Sequence, residues 1–214
     1  YLLKLDIENF FPTISQGRIF DNFMALNLRS EIAKNLSRFV TIDGSLPLGF
    51  PTSPVISNAI ALPIDIALHR LAQQVGNVTY TRYADDLSFS GDGNLPTVDD
   101  IQKCVNASGF TLAHAKTRWS KIGRAHYVTG LSVSDTKQPH VPRVKKRVLR
   151  QELHYATKFG IIEHSMRKGI ADVQGEINRL DGLVKFVAHH EPRLSGKLKQ
   201  EWREILLKSG MRPS

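Results

Sequence analysis

The order of apolar and polar positions divides this 214-residue chain into stretches of strand-like and helix-like period. Tyr1 to Ile7 (YLLKLDI) is almost continuously apolar, the pattern of a strand buried within a sheet. Phe10, Phe11 and Pro12 follow at a turn, and apolar residues then recur at helical spacing from about Ser15 to Leu28 and from Ser30 to Phe39. Residues 41–54 are rich in Gly and Pro and read as a loop. Ser53-Pro54 supplies a cap and a first-turn proline for a long helix reaching Gln74, which Pro63 should bend. Val78 to Tyr83 and Leu87 to Ser90 are strand-like runs on either side of Ala84-Asp85-Asp86, which predicts a β-hairpin with two carboxylates at its tip.

Downstream, Thr97 to Ser108 is a predicted helix, and Thr111 to Ser120 and Ala125 to Val133 are predicted strands. From Pro142 onward the pattern is helical, with amphipathic stretches at Val144 to Phe159, Gly169 to His189 and Leu194 to Leu207. Strands interleaved with helices make the first part α/β (α+β), and a helical appendage follows. The polar, Pro-containing stretch SDTKQPHVP suggests a division into residues 1–134 and 135–214. No internal repeat or low-complexity tract is visible.

Charge changes the picture. Residues 1–107 carry 8 Lys/Arg against 11 Asp/Glu, net −3, whereas residues 108–214 carry 21 against 9, net +12. An acidic half beside a basic half suggests metal binding next to polyanion binding, although a solvated basic surface would give the same count. The single cysteine, Cys104, cannot form an internal disulfide and is expected to pack in its helix. No apolar run approaching a bilayer's thickness stands out, no membrane partner is expected, and a cytoplasmic location is. Because the chain opens directly on a buried-strand pattern, further sequence is expected to precede Tyr1.

The chemistry centres on Asp6, Asp85 and Asp86. Nucleotidyl transfer needs its attacking hydroxyl activated and its leaving pyrophosphate neutralised, a task for two Mg²⁺ ions about 4 Å apart. Asp6 ends a predicted strand and Asp85 and Asp86 tip a predicted hairpin, so neighbouring strands could bring all three carboxylates together. Alone, a DD pair reads equally well as a hydrophilic turn, and Asp6 as a capping or ion-paired residue.

These motifs together resemble the reverse transcriptases, and within them the bacterial retron-like branch. Leu5 to Ile14 (LDIENFFPTI) looks like motif A, Leu46 to Asn58 (LPLGFPTSPVISN) like motif B, and Tyr83 to Asp86 (YADD) like motif C. The resemblance implies a right-hand polymerase palm with an antiparallel sheet, then a helical thumb, the N-terminal fingers lying outside this sequence. It assigns Asp6, Asp85 and Asp86, with the backbone carbonyl of Ile7, to two Mg²⁺ ions, for which Mn²⁺ could substitute. Phe10 and Phe11 fall at the nucleotide, with Phe11 at the steric gate that would exclude a 2′-hydroxyl. Gly49 and Pro51 would shape the loop beside the nucleotide, and Tyr83 would lie near the primer terminus. Leu48 departs from the family pattern, in which many members carry Gln.

Lys116, in AHAKTRW, looks like the motif D lysine, placed to protonate or neutralise the departing pyrophosphate. His126 to Val133 (HYVTGLSV) resembles the retron VTG segment, whose Val128, Thr129, Gly130 and Leu131 would grip the primer. Beyond it, RVKKRVLR gathers Arg143, Lys145, Lys146, Arg147 and Arg150 at the start of a helix. Val144, Val148 and Leu149 leave these cations on a largely separate arc, suited to duplex phosphates. Trp119, Trp202 and the scattered histidines read as packing or surface residues.

The implied function is RNA-directed DNA synthesis. Its partners would be an RNA template, a DNA or RNA primer, deoxynucleoside triphosphates and a cognate structured non-coding RNA, with a role in phage defence. Three alternatives stand beside it. An RNA-templated RNA polymerase would need room where Phe11 stands, a group II intron, CRISPR-type or other defence-associated reverse transcriptase would share the palm acids, and a non-catalytic RNA-binding palm would have little use for clustered carboxylates.

Overall fold

The computed structural model describes residues 1–121, 126–135 and 137–210. Contacts group the chain into two compact units, Tyr1–Arg124 and Ala125–Ser214. This division falls ahead of the stretch at 135–142 that sequence suggested, because the VTG segment and the linker both attach to the helical part.

In the first unit, β1 (Leu2–Asp6) pairs antiparallel with β3 (Asp86–Gly91) on one side and with β4 (Arg118–Ser120) on the other; β2 (Val78–Tyr83) pairs antiparallel with β3, giving the order β2-β3-β1-β4. Alternation along β1 and β3 sends Leu3, Leu5, Leu87 and Phe89 to a buried face, where they meet Ile60, Ile64 and Leu68 of a long helix. Lys4, Asp6, Asp86 and Ser88 take the other face. Truncating Leu5 or Phe89 to Ala in such a core costs about 2–5 kcal/mol.

Short helices α1 (Phe10–Thr13), α2 (Gln16–Ala25) and α3 (Ser30–Phe39) follow β1, with Ser15 capping α2 through the amide of Arg18. Residues 10–12, expected as a turn, are helical, entered through Asn9 in the left-handed region (φ 46°). The long helix is α4 (Ser53–Val75); its cap position is Thr52, and the Ser53 hydroxyl instead donates to the Pro47 carbonyl (2.6 Å). Pro63 lies inside α4, which runs on past it. Against the sequence expectation, α4 is long and apolar enough by length and composition to cross a membrane. Its buried face is the core of this unit, and its Asp65 is ion-paired to Arg82 of β2.

α5 (Val98–Ala107) begins at Thr97, whose hydroxyl accepts from the Asp100 amide, a cap contributing about 1 kcal/mol. The strand expected over 111–120 is mostly absent. Leu112 forms one bridge to Ile7, a 3₁₀ turn occupies His114–Lys116, and only β4 is ladder-paired.

In the second unit, the strand expected over 125–133 is a hairpin for the part described, β5 (Tyr127–Val128) and β6 (Leu131–Ser132); Ala125 lies outside the described residues. Thr129 (φ 47°) and Gly130 (φ 81°) form its turn, and positive φ at both central residues is the type I′ requirement. Among the described residues four helices follow: α6 (Arg143–Phe159), α7 (Ile161–Arg167), α8 (Val173–His190) and α9 (Pro192–Lys208). α7 was not anticipated, since seven residues are too few to show a period. Leu149, Leu153, Leu180, Val184, Trp202 and Ile205 form their core, and the Trp202 indole donates to Asp181 (2.9 Å).

Two ion networks lie at the edge of that core. Glu191 accepts from the Val141 amide (3.0 Å) and from Lys146 (2.6 Å), and sits 3.3 Å from the His140 ring nitrogen. Glu176, only 4% exposed, accepts from Arg179 (2.6 and 2.8 Å) and Lys168 (2.8 Å). The Arg179 hydrogen bonds, reinforced by Lys168, draw the Glu176 carboxyl down from the usual 4.5 to about 2. Its contribution to stability is therefore complete above its unfolded value and disappears as pH falls toward about 2. Thermal melts from pH 6 to 2 should show wild type losing stability steeply below about pH 4.5. Glu176→Gln should start lower, by about 3 kcal/mol, and fall less steeply, and parallel curves would refute this origin of the acid sensitivity.

Candidate active site

Asp6 and Asp86 are register partners on adjacent strands. The next pair along, where the Ile7 amide donates to the Asp85 carbonyl (2.9 Å), is hydrogen-bonded, so Asp6 and Asp86 form a non-hydrogen-bonded pair. Such partners have Cα atoms about 4.5 Å apart and side chains on the same face. Two carboxylates are thus forced together by strand register alone.

Asp85 occupies the two-residue turn between β2 and β3, with Ala84. Ala84 takes positive φ (52°) and Asp85 does not, the pattern of type II′, in which glycine is usual at the first position. Burial pushes the Asp85 carboxyl up, its own amide opposes the shift, and the charges of Asp6 and Asp86 push it further; Lys116 draws it back. The Lys116 ammonium lies 2.7 Å from Asp6 Oδ1, and this hydrogen bond raises its own pKa. Lys4 lies 3.9 Å from Asp86.

Among the described residues, no group of three or more His, Cys, Asp or Glu side chains is placed to ligate a single ion. The convergence expected of three acids is therefore a close pair, Asp6 and Asp86, with Asp85 coupled to them electrostatically from the turn and Lys116 on one oxygen of Asp6. The donors still suit a hard divalent cation, being oxygen atoms only with a repulsion that a cation would relieve.

The aromatic pair divides. Phe10 is 2% exposed, packed on Phe110 and edge-on to Phe11, which removes it from direct nucleotide contact; Phe11 is half-buried beside it. The two rings diverge because Phe10 and Phe11 are successive residues of a helix, about 100° apart around its axis. Gly49 has φ 90° and nothing within 4 Å of where a Cβ would stand, so the loop backbone is open to close approach there. Leu48 (73% exposed) and Pro51 border it, and Tyr83 (71%) is exposed beside the turn.

In the second unit, Thr129 and Gly130 are exposed at the hairpin turn with Val128 and Leu131 half-buried, and Lys145 Nζ lies 3.5 Å from the position a Gly130 Cβ would take. Of the five α6 cations, Arg143, Lys145, Arg147 and Arg150 are exposed. Lys146 is spoken for by Glu191, which no local pattern could have revealed. Val144 and Val148 are also exposed, because the buried stripe of α6 runs through Leu149, Leu153 and Ala156. Sequence did not single out Arg82, Asp65 or Asn58, which meet behind the carboxylate turn.

The family profile for reverse transcriptase (RNA-dependent DNA polymerase) matches residues 1–154. The retron Mx65 reverse transcriptase of Myxococcus xanthus is 31% identical over 92% of this chain and 48% of its own length. The retron Ec86 reverse transcriptase of Escherichia coli is 30% identical over 77% of this chain and 52% of its own. The chain spans about half the length of these curated relatives. Among solved structures, telomerase from Candida albicans, in complex with a TWJ fragment of telomeric RNA, aligns with TM-score 0.50 at 11% identity, covering 97% of this chain and 47% of that one; the likeness is one of fold.

Because Lys116 draws the Asp85 carboxyl downward, its removal has a definite sign. In Lys116→Ala, carboxylate ¹³C titration should show Asp85 protonating at higher pH than in wild type. An unchanged or lower midpoint would mean that the ammonium does not act on the turn.

Proposed function

Since the chain belongs to the reverse transcriptase family and is retron-like in sequence, we propose that it carries the catalytic part of an RNA-directed DNA polymerase. The observation that carries this reading is the Asp6–Asp86 register pair with Asp85 in the adjoining turn. The family works with divalent metal ions. In the proposed reaction a primer 3′-hydroxyl attacks the α-phosphate of a deoxynucleoside triphosphate opposite an RNA template, releasing pyrophosphate.

Asp6, Asp85 and Asp86, with the neighbouring Ile7 carbonyl, are the groups that would bind Mg²⁺, or Mn²⁺ in its place. Bound there, two such ions would lower the pKa of the attacking hydroxyl and neutralise the leaving oxygen. Lys116 lies within hydrogen-bond reach of Asp6, and in the reaction its ammonium would give a proton, or its charge, to the departing pyrophosphate. Phe11 is half-buried on the Phe10 ring, and a fixed ring next to the sugar would leave no space for a 2′-hydroxyl. The open backbone at Gly49 would take the base pair side, and Leu48 offers no amide there.

In the second unit, read as the thumb, the exposed Arg143, Lys145, Arg147 and Arg150 would neutralise phosphates of the template–primer duplex and Val128 to Leu131 would grip the primer; in the first unit Tyr83 would lie near the primer terminus. Lys146 is left out of that set. A cognate structured RNA and a role in phage defence belong to the same reading.

The test is primer extension on an RNA template by the full-length protein. Mg²⁺-dependent incorporation of deoxynucleotides is expected, with Asp85→Ala reducing it on the order of 10³-fold or more, the equivalent of several kcal/mol of charge stabilisation. Specific template binding with no incorporation under any divalent metal would leave a non-catalytic RNA-binding palm instead. Phe11→Ala should admit ribonucleotides about 10-fold or more readily relative to deoxynucleotides, as expected for a contact worth 1–3 kcal/mol, whereas an unchanged sugar preference would remove the gate.

A further inference from the structure

Arg82 is the last inward-facing residue of β2 before the carboxylate turn, and its side chain is 6% exposed. Nε donates to Asp65 Oδ1 (2.8 Å) and Nη2 to Asp65 Oδ2 (2.7 Å), a two-pronged seat on α4. Nη1 donates to Asn58 Oδ1 (3.1 Å), one further α4 contact, and to the carbonyl of Ala84 (3.1 Å), the first residue of the turn. The guanidinium carbon stands 5.9 Å from the centre of the Phe10 ring, which in turn abuts Phe11. One permanently charged fork thereby bonds both the helix after the Gly49 loop and the turn that bears Asp85, and stands over the Phe10 ring.

Stability alone does not explain such a group. A largely buried ion pair adds little to folding that apolar side chains of the same volume would not, so what it supplies here is geometry. The demand is visible at Ala84. An alanine at φ 52° is in a conformation its side chain disfavours, and the like charges of Asp6, Asp85 and Asp86 press the same turn to open. The bond from Arg82 to the Ala84 carbonyl opposes both. Tyr80, whose hydroxyl donates to Asp65 Oδ1 (2.8 Å), steadies the seat from the same strand.

We propose that Arg82 is a positioning residue, whose guanidinium, fixed by Asp65, locks the Ala84–Asp85 turn in the conformation that sets Asp85 beside Asp6 and Asp86. The inference rests on the polymerase reading of those carboxylates and deepens it. Arg82 touches neither substrate nor metal; it acts through the backbone of the turn.

The experiment compares full-length wild type with Arg82→Met, Arg82→Lys, Asp65→Asn and the Arg82→Met/Asp65→Asn double variant. Mn²⁺ affinity is read by electron paramagnetic resonance without catalysis, and kcat and KM for deoxynucleotide are read on an RNA template. Arg82→Met should bind Mn²⁺ about tenfold more weakly and lose about 10- to 100-fold in kcat with KM little changed, the scale of a small misplacement of a catalytic group. Lys should fail to rescue, since one ammonium cannot span Asp65 and the Ala84 carbonyl. The double variant should be no worse than the worse single one, because both act through one unit.

A folded Arg82→Met protein with wild-type Mn²⁺ affinity and kcat overturns the proposal, as does full rescue by Lys. Should Arg82→Met fail to fold, Asp65→Asn decides on the same two readouts, wild-type values overturning it. A wild-type protein that extends no primer refutes the polymerase reading, and the Mn²⁺ titrations then still decide the role of Arg82.

Discussion

Everything at the candidate site depends on the register between β1 and β3. Leu3, Leu5 and Ile7 alternate with Lys4 and Asp6 on one strand, and Leu87 and Phe89 with Asp86 and Ser88 on the other. A slip of one residue would turn Leu87 to solvent and drive Asp86 into the apolar face against α4. The core therefore selects the pairing, and the pairing makes two carboxylates neighbours. Repulsion between them is a by-product of hydrophobic burial, and their charges act together on Asp85 in the adjoining turn.

That link explains what was readable from sequence and what was not. The carboxylate hairpin was legible because Val78–Tyr83 alternates, Leu87–Ser90 is strand-like, and two residues between them suffice for a turn. α3 and α4 were legible nearly to the residue, since their apolar positions keep helical spacing over several turns. Residues 111–120 misled because only Leu112 and Trp119 are large apolar residues among polar ones, and the segment is held by a single bridge at Leu112, a 3₁₀ turn and a short ladder over Arg118–Ser120. Residues 10–12, read as a turn, misled for a local reason: Asn9 in the left-handed region opens a helix too short to show a period.

The residues that sequence missed share a different cause. Arg82, Asp65 and Asn58 are ordinary polar residues in their own elements, and nothing nearby in the chain marks them. Their meaning comes from α4 crossing behind β2, which places Asp65 opposite both Tyr80 and Arg82. The error over Lys146 has the same origin in reverse. Counting cations along α6 treats each as available, whereas Glu191, 45 residues away, fixes one of them. Charge counts bound the partner class, and only tertiary pairing says which charges remain for it.

Glu191 also changes what residues 137–142 are. By composition they are a tether, polar and interrupted by proline. Here the His140 backbone is paired on both sides with Ser132, the His140 ring lies between Asp135 and Glu191, and the Val141 amide is fastened to the same glutamate. Proteases cleave segments that can detach and extend through their clefts. A stretch anchored by its own main chain presents no such strand, and with Val141 buried (1% exposed) the bond between His140 and Val141 is shielded.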